Sequence, residues 1–248
     1  YYGKMVKFVL DSLFWLGFKN ADCMMYQNSQ ERDYIRRIIG KKTHYRDIPG
    51  SGVNLEKFHY VEYPAESEPI KFNYVGRLVS IKGINEFLTC AERIKKKYVN
   101  TRFVIYGDYD EDIYKTRVSE LEKKGIVVYG GVQMNMKPYI EQAHAVIHPS
   151  YYEGRTNVVL DHSAMGRVCI GSDIPGVRDG IEEGKTGFVF PRQDVDILVQ
   201  KVERFINLPY EEKVAMGKAA REKMEREFDR NIVTNIYIEE INRILAGG

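Results

Sequence analysis

Two acidic residues, Glu153 and Asp161, flank the stretch Gly154-Arg155-Thr156-Asn157. The apolar run Ala145 to Pro149 before them reads as a short buried strand. Gly154 breaks the chain, and Thr156 or Asn157 can begin a helix that continues through Leu160 and Ala164. A helix start presents unpaired backbone N–H groups and a partial positive charge, which suits a phosphate. Glu153 falls in the loop and Asp161 about a turn and a half into the helix, so both can face one crevice. A carboxylate repels phosphate, so the partners of these two acids are expected to be neutral hydroxyls. A ligand that carries both phosphates and many hydroxyls is a nucleotide sugar.

A second constellation precedes it in Val75-Gly76-Arg77-Leu-Val-Ser-Ile-Lys82-Gly83. Gly76 allows close backbone approach after a strand. Arg77 and Lys82 bracket a tight turn where a planar fork and a point charge could hold a diphosphate. The same two residues also fit an exposed pair beside a helix start. Downstream, Asp108-Tyr-Asp110-Glu111-Asp112 can be read in two ways. Asp108 and Asp110 could bridge a divalent metal to a diphosphate, or the acidic run could be a solvated loop before a helix. His144, His148 and His162 read as structural, and no spacing suggests a Ser/His/Asp or Cys/His nucleophile.

Glu153-Gly154 with Leu160-Asp161, Ala164-Met-Gly166-Arg, Ile174-Pro-Gly176-Val-Arg-Asp and Glu183-Gly-Lys-Thr-Gly187-Phe together resemble the retaining family 4 glycosyltransferases of the GT-B fold. The likeness is greatest to bacterial enzymes of capsule, O-antigen and lipid-linked oligosaccharide assembly. Those carry a Glu-x7-Glu pair, and here Asp161 replaces the second Glu, one methylene short. The resemblance implies that Arg77 and Lys82 grip the donor diphosphate and that Glu153 contacts hydroxyls of the transferred sugar. It implies that Asp161 holds the ribose and that the Thr156 and Asn157 amides reach phosphate and sugar beside Gly154. It also places the backbone of Val132 against the base, with Lys137 nearby. It implies a UDP-sugar donor, a glycan or lipid-linked acceptor and no metal or other cofactor. A cytoplasmic location follows from it, with peripheral contact at the inner face of the membrane. A catalytically silent nucleotide-sugar-binding subunit and a sugar-nucleotide epimerase or phosphorylase of the same two-domain plan are the alternatives.

The elements that must position these residues follow from periodicity. The chain has 248 residues, of which 44% are hydrophobic and 29% charged, so it can bury a full core and is not a disordered chain. A formal charge of +2, from 37 basic and 35 acidic residues, leaves no nucleic-acid footprint. Cys23, Cys90 and Cys169 lie far apart in apolar segments and read as buried free thiols, not as a disulfide framework or a metal site.

Strands are expected at Lys71–Leu78, Thr101–Gly107, Ile126–Gly131, Ala145–Pro149, Val168–Ser172 and Gly187–Phe190. Helical periodicity separates most of them, which predicts a parallel doubly wound sheet. Three helices are expected at Asp194–Leu208, Tyr210–Glu227 and Asn231–Leu245. Ahead of the sheet, Ala21–Gln27 reads as a strand and Ser29–Ile39 as a helix capped by Ser29, followed by a turn from Tyr45 to Phe58.

Met5–Phe18 reads as an amphipathic helix packed on protein, with an interfacial helix as its alternative. With no initiator Met at Tyr1, the chain is expected to be a piece of a longer protein. By the resemblance, residues 1–57 would be the end of an acceptor-binding domain with its linker, and residues 58–248 the nucleotide-sugar-binding domain. Such a piece would bind donor but transfer little.

Overall fold

The computed structural model describes residues 2–247; Tyr1 and Gly248, at the outer ends of the two expected domains, lie outside the described residues. The main body is one six-stranded parallel sheet. Two small strands, β1 (Cys23–Tyr26) and β2 (His44–Asp47), precede it. Its own strands are β3 (Ile70–Val75), β4 (Thr101–Tyr106), β5 (Val127–Gly131), β6 (Ala145–His148), β7 (Val168–Ser172) and β8 (Gly187–Phe190), in spatial order β5-β4-β3-β6-β7-β8. All six expected strands are present. The chain therefore builds outward from β3 to β5, then returns to the other side of β3 with β6. The crevice at the carboxyl ends of β3 and β6 is the switch point of such a sheet, where ligands bind. Their pairing is short, limited to Phe72 with Ala145 and Asn73 with Val146, so the strands part before Tyr74 and Ile147.

Strand alternation assigns each residue to a face. Phe72, Tyr74, Phe103, Ile105, Ile147 and Ile170 join a core with α3 (Ile84–Lys95), α4 (Ile113–Lys123) and α8 (Val195–Ile206). On the opposite face Val146 and Cys169 pack with Val159 of α6 (Asn157–Ala164) and Val177 of α7 (Pro175–Arg178). Short α5 (Lys137–Glu141) contributes Ile140 to a third cluster with Val53, Phe58 and Leu160. Both faces are covered by helices, as the alternating pattern implies.

Fully buried Arg167 sits in that region and forms no ion pair among the described residues. Its guanidinium donates to the carbonyls of Ile140 at 3.1 Å, Glu141 at 2.8 Å, Val61 at 3.1 Å and Glu62 at 2.9 Å. Burial pulls its pKa down to about 10. The planar fork satisfies carbonyls that would otherwise be stranded, and so fixes the segment before β3 to the end of α5.

The first part of the chain is α1 (Tyr2–Phe18), β1, α2 (Ser29–Ile39) and β2, with β1 and β2 paired in parallel. Tyr45–Asp47 was expected to open a turn; with His44 it is a strand because these four residues find register partners in Cys23–Tyr26, a long-range pairing absent from local pattern. The cap of α2 is Asn28, not Ser29, its side chain accepting from the Glu31 amide. Met5–Phe18 lies in a helix that packs on protein, as expected, but much of its apolar surface is left uncovered among the described residues. α1 rests chiefly on α2, and Phe8 is 73% exposed, Leu13 60% and Leu16 57%. No helix among the described residues is long and apolar enough to cross a membrane.

The last third departs from expectation at one point. α9 (Tyr210–Lys223) runs into a π-turn, Met224–Phe228, before α10 (Arg230–Gly247) begins. α10 returns to the first unit, where Arg46 pairs with Glu239 at 2.8 Å.

Candidate active site

The loops after β3 and β6 meet across the switch-point crevice. β3 ends at Val75, three residues earlier than expected, because Gly76 turns away with φ +158°. The loop that follows is closed by Tyr74, whose buried hydroxyl lies 3.0 Å from the Arg77 carbonyl and 3.3 Å from the Lys82 carbonyl. Gly83 then starts α3 in a left-handed conformation, φ +72°. A Cβ there would lie 2.1 Å from the Pro149 carbonyl oxygen, so only glycine lets the Lys82 loop settle against the end of β6.

Across the crevice, the Glu153 loop is held from three sides. Gly176 comes so close beneath it that a Cβ would meet the Glu153 and Gly154 carbonyls at 2.4 Å. Asn28 donates its side-chain amide to the Gly154 carbonyl at 3.1 Å. Arg155 donates to the Gln27 carbonyl at 2.7 Å and pairs with Asp179 at 2.9 Å. The loop is thereby fastened to the first unit as well as to the sheet.

These two loops bring Lys82 and Glu153 together. Lys82 Nζ is 2.7 Å from Glu153 Oε1, and His148 Nε2, at the end of β6, is 3.2 Å from the same oxygen. Glu153 Oε2 has no hydrogen-bond partner among the described residues. Burial pushes the Glu153 carboxyl up, but the hydrogen bonds and charges of His148 and then Lys82 outweigh it and hold the group down at about 2. His148 was expected to be structural; the position is instead part of the site, because the end of a central strand points into the crevice. The other two histidines are structural. His144 Nδ1 accepts from the Lys71 amide at 3.1 Å, and buried His162 bonds the Val158 carbonyl at 2.7 Å.

Arg77 behaves differently from Lys82. It is exposed and pairs with Asp110 at 2.8 Å. The acidic loop is engaged throughout: Asp108 accepts from the Tyr109 amide at 2.8 Å, Glu111 from the Ser80 amide at 3.2 Å, and Asp112 pairs with Lys115 at 2.7 Å. Asp108 and Asp110 therefore point to separate partners. Asp110 instead meets the cation expected to hold a diphosphate.

Helix α6 begins at Asn157, with Thr156 as its cap position. The Thr156 amide donates to the Gly176 carbonyl at 3.2 Å, so this amide, expected to reach a ligand, is already committed. The Asn157 amide, first in the helix, has no acceptor among the described residues. The Asp161 carboxylate, one turn further, forms no hydrogen bond among the described residues. Burial pushes its carboxyl up to about 7, while Lys57 and Arg230 pull in the opposite direction. Val132 is 59% exposed just beyond β5, and Lys137 opens α5 with its amide on Asn135 Oδ1 at 3.2 Å. Both lie at the carboxyl end of the sheet, and among the described residues neither forms a hydrogen bond or ion pair with the other candidate residues.

Beside Glu153, a cleft of about 380 Å³ opens between α2 and the crevice, lined by Asn28, Gln30, Glu31, Tyr152 and Arg192. Such a cleft can seat a second, hydroxyl-bearing molecule next to whatever lies on Glu153.

Comparison with known proteins agrees with this architecture. The family described as "Glycosyl transferases group 1" matches residues 57–223, more than half of the chain. An N,N'-diacetylbacillosaminyl-diphospho-undecaprenol alpha-1,3-N-acetylgalactosaminyltransferase of Campylobacter jejuni is 24% identical over 97% of this chain and 65% of its own length. The capsular polysaccharide biosynthesis glycosyltransferase CapM of Staphylococcus aureus is 24% identical over 74% of this chain and 50% of its own. This chain thus spans about half to two thirds of these relatives. Among solved structures, a Rickettsia africae glycosyltransferase superposes with a TM-score of 0.83 at 16% identity, covering 97% of this chain and 68% of that one. The pneumococcal O-GlcNAc transferase GtfA, solved with UDP and GlcNAc, gives 0.78 at 15% identity, over 95% and 47%. The sheet order, the loops at its switch point and the match across residues 57–223 agree: the chain belongs to the group 1 glycosyl transferases and has the parallel-sheet fold of GT-B enzymes.

Proposed function

We propose that this chain is the donor-binding part of a retaining glycosyltransferase that moves a hexose or N-acetylhexosamine from a UDP-sugar to a glycan or lipid-linked hydroxyl. The observation that carries the proposal is the meeting of Lys82 and Glu153 across the switch-point crevice, with the free start of α6 beside them. Lys82 supplies the charge that a departing diphosphate needs, and Arg77 supplies more once it leaves Asp110. The Asn157 amide meets the phosphate or sugar at the helix start. Glu153 offers its open Oε2 to a sugar hydroxyl. Asp161, poised near neutrality, accepts from the ribose, Gly76 and Gly154 leave room for the donor, and Val132 and Lys137 flank the base.

In this reading the acceptor oxygen attacks the anomeric carbon on the face from which UDP departs. The bond from that carbon to the β-phosphate oxygen breaks, and the departing phosphate takes the acceptor proton. No metal and no protein base from this half is then needed. Residues 1–57 belong to the acceptor domain and linker, and residues 58–248 to the donor domain. The names of the relatives support a polysaccharide or lipid-linked acceptor, and with it a cytoplasmic enzyme working at the inner membrane face. The fragment alone transfers little.

Titration of this chain with UDP, GDP and ADP, with and without EDTA, tests the proposal. Binding of UDP that persists in EDTA is expected. Loss of binding with the chelator moves the diphosphate to a metal, and no binding of any nucleotide overturns the reading. The one-methylene shortening at Asp161 favours a second reading, a binding subunit without turnover. That reading expects donor binding but no transfer even in the complete two-domain protein.

A further inference from the structure

Where α10 crosses the two-stranded sheet, Cys23, His44 and Glu240 come together. Cys23 and His44 are register partners at the first positions of β1 and β2. Their side chains therefore leave adjacent parallel strands on one face. Glu240 is buried opposite them, with Oε2 3.4 Å from His44 Nε2. One ligand atom from each of the three lies within 4.8 Å of the other two. The second carboxylate oxygen is taken by Arg243, whose Nε donates to Oε1 at 2.8 Å. That contact fixes the carboxylate and leaves Oε2 turned towards Cys23 and His44. Outer hydrogen bonds of this kind orient carboxylate ligands in metal sites.

We propose that Cys23, His44 and Glu240 form a zinc site that ties α10 to the β1–β2 sheet. Thiolate, imidazole and carboxylate are donor types that zinc accepts, and three protein ligands with one water complete a tetrahedron. The thiolate directs the site away from magnesium and calcium, which take oxygen ligands. Binding releases the thiol proton to solvent, after which thiolate and carboxylate balance the ion's charge. Of the nearby cations, Arg46 is compensated by Glu239 at 2.8 Å, while Arg243 shares the Glu240 carboxylate with the ion and leaves the site one positive charge in excess. Lys82 and Glu153 take no part.

Cobalt titration of the metal-stripped chain under reducing conditions tests this directly. A saturable thiolate-to-cobalt charge-transfer band, displaced by zinc, is expected. Cys90 and Cys169 are fully buried, so the band reports on Cys23. It should vanish in Cys23→Ser, and zinc affinity should fall about 10-fold or more in His44→Gln. Absence of the band in the wild-type chain, or its survival in Cys23→Ser, overturns the proposal. Should Cys23→Ser fail to fold by circular dichroism, His44→Gln decides, because unchanged cobalt affinity there also overturns it.

Discussion

Lys82 Nζ lies 2.7 Å from Glu153 Oε1, joining the loop after β3 to the loop after β6 across the switch point. The proposed donor needs these two residues for different parts of itself, the cation for diphosphate and the carboxylate for sugar. In this structure they neutralise each other. Donor binding then exchanges one charge-assisted contact for two, and His148 remains to hold Glu153.

Removing either partner should separate the two roles. Lys82→Met should weaken UDP binding to this chain by about 10-fold, since a charge-assisted contact is worth about 1.5–3 kcal/mol. Glu153→Ala should leave UDP affinity within about 2-fold, yet lower transfer by the complete enzyme about 100-fold or more through lost sugar orientation. Unchanged turnover in Glu153→Ala would end the assignment of Glu153.

Acid stability should carry the signature of Glu153. Its folded value near 2 lies below the ordinary 4.5. The carboxylate therefore stabilises the fold above pH 4.5, and that contribution is lost as pH falls towards 2. Thermal melts of Glu153→Gln should be less stable than wild type at pH 7, with the gap closing on acidification. A gap that widens in acid would contradict the ion pair.

Asp161 should show the opposite slope. Its folded value near 7 exceeds the ordinary 3.8, so the folded state holds the extra proton between those limits. Stability should fall as pH rises from about 4 to 7 and stay level above. Asp161→Asn should remove this slope and stabilise the chain at pH 8 by on the order of 2 kcal/mol after partial exposure is discounted. The same variant should bind UDP more weakly, because its ribose acceptor is replaced. A variant no more stable than wild type at pH 8 would contradict the unpaired, half-buried carboxylate.

His148 should act through Glu153 alone. His148→Ala should lower kcat of the complete enzyme by about 10-fold while UDP affinity stays constant, the result of a loosened Glu153. His148→Gln, which keeps an N–H donor, should restore most of the loss. Equal damage from Ala and Gln would assign His148 to packing instead.

Gly83→Ala tests the loop geometry. Its Cβ would press on the Pro149 carbonyl at 2.1 Å from a left-handed backbone. A loss of about 2–4 kcal/mol is expected by chemical denaturation, together with weakened UDP binding. Wild-type stability would show that the Lys82 loop does not depend on this approach.

The parallel sheet was legible because each strand carries an apolar run and each connection has helical periodicity. β2 was not, since His44–Asp47 becomes a strand only by pairing with Cys23–Tyr26. The candidate loops were legible as glycine-punctuated turns with charges at fixed places. Their internal bonding was not: the Thr156 amide is used by Gly176, and Arg77 is held by Asp110. α1 reads as amphipathic, yet its apolar side chains stay exposed among the described residues, because a pattern names a face without naming what covers it.

By itself the sequence determined which residues could do the chemistry, namely a fork and a point charge after one strand and two carboxylates about the start of a helix. Those are local properties, set by residue type and spacing along a few turns of chain. Only the tertiary structure decided which of them meet. The reversal of strand order between β3 and β6 puts Lys82 against Glu153, although 71 residues separate them, and turns His148 into their neighbour. The same holds for Cys23, His44 and Glu240, which share a face only after α10 folds back. Contacts of that range depend on the order in which strands assemble and on burial of both sheet faces, and neither is written in any single segment.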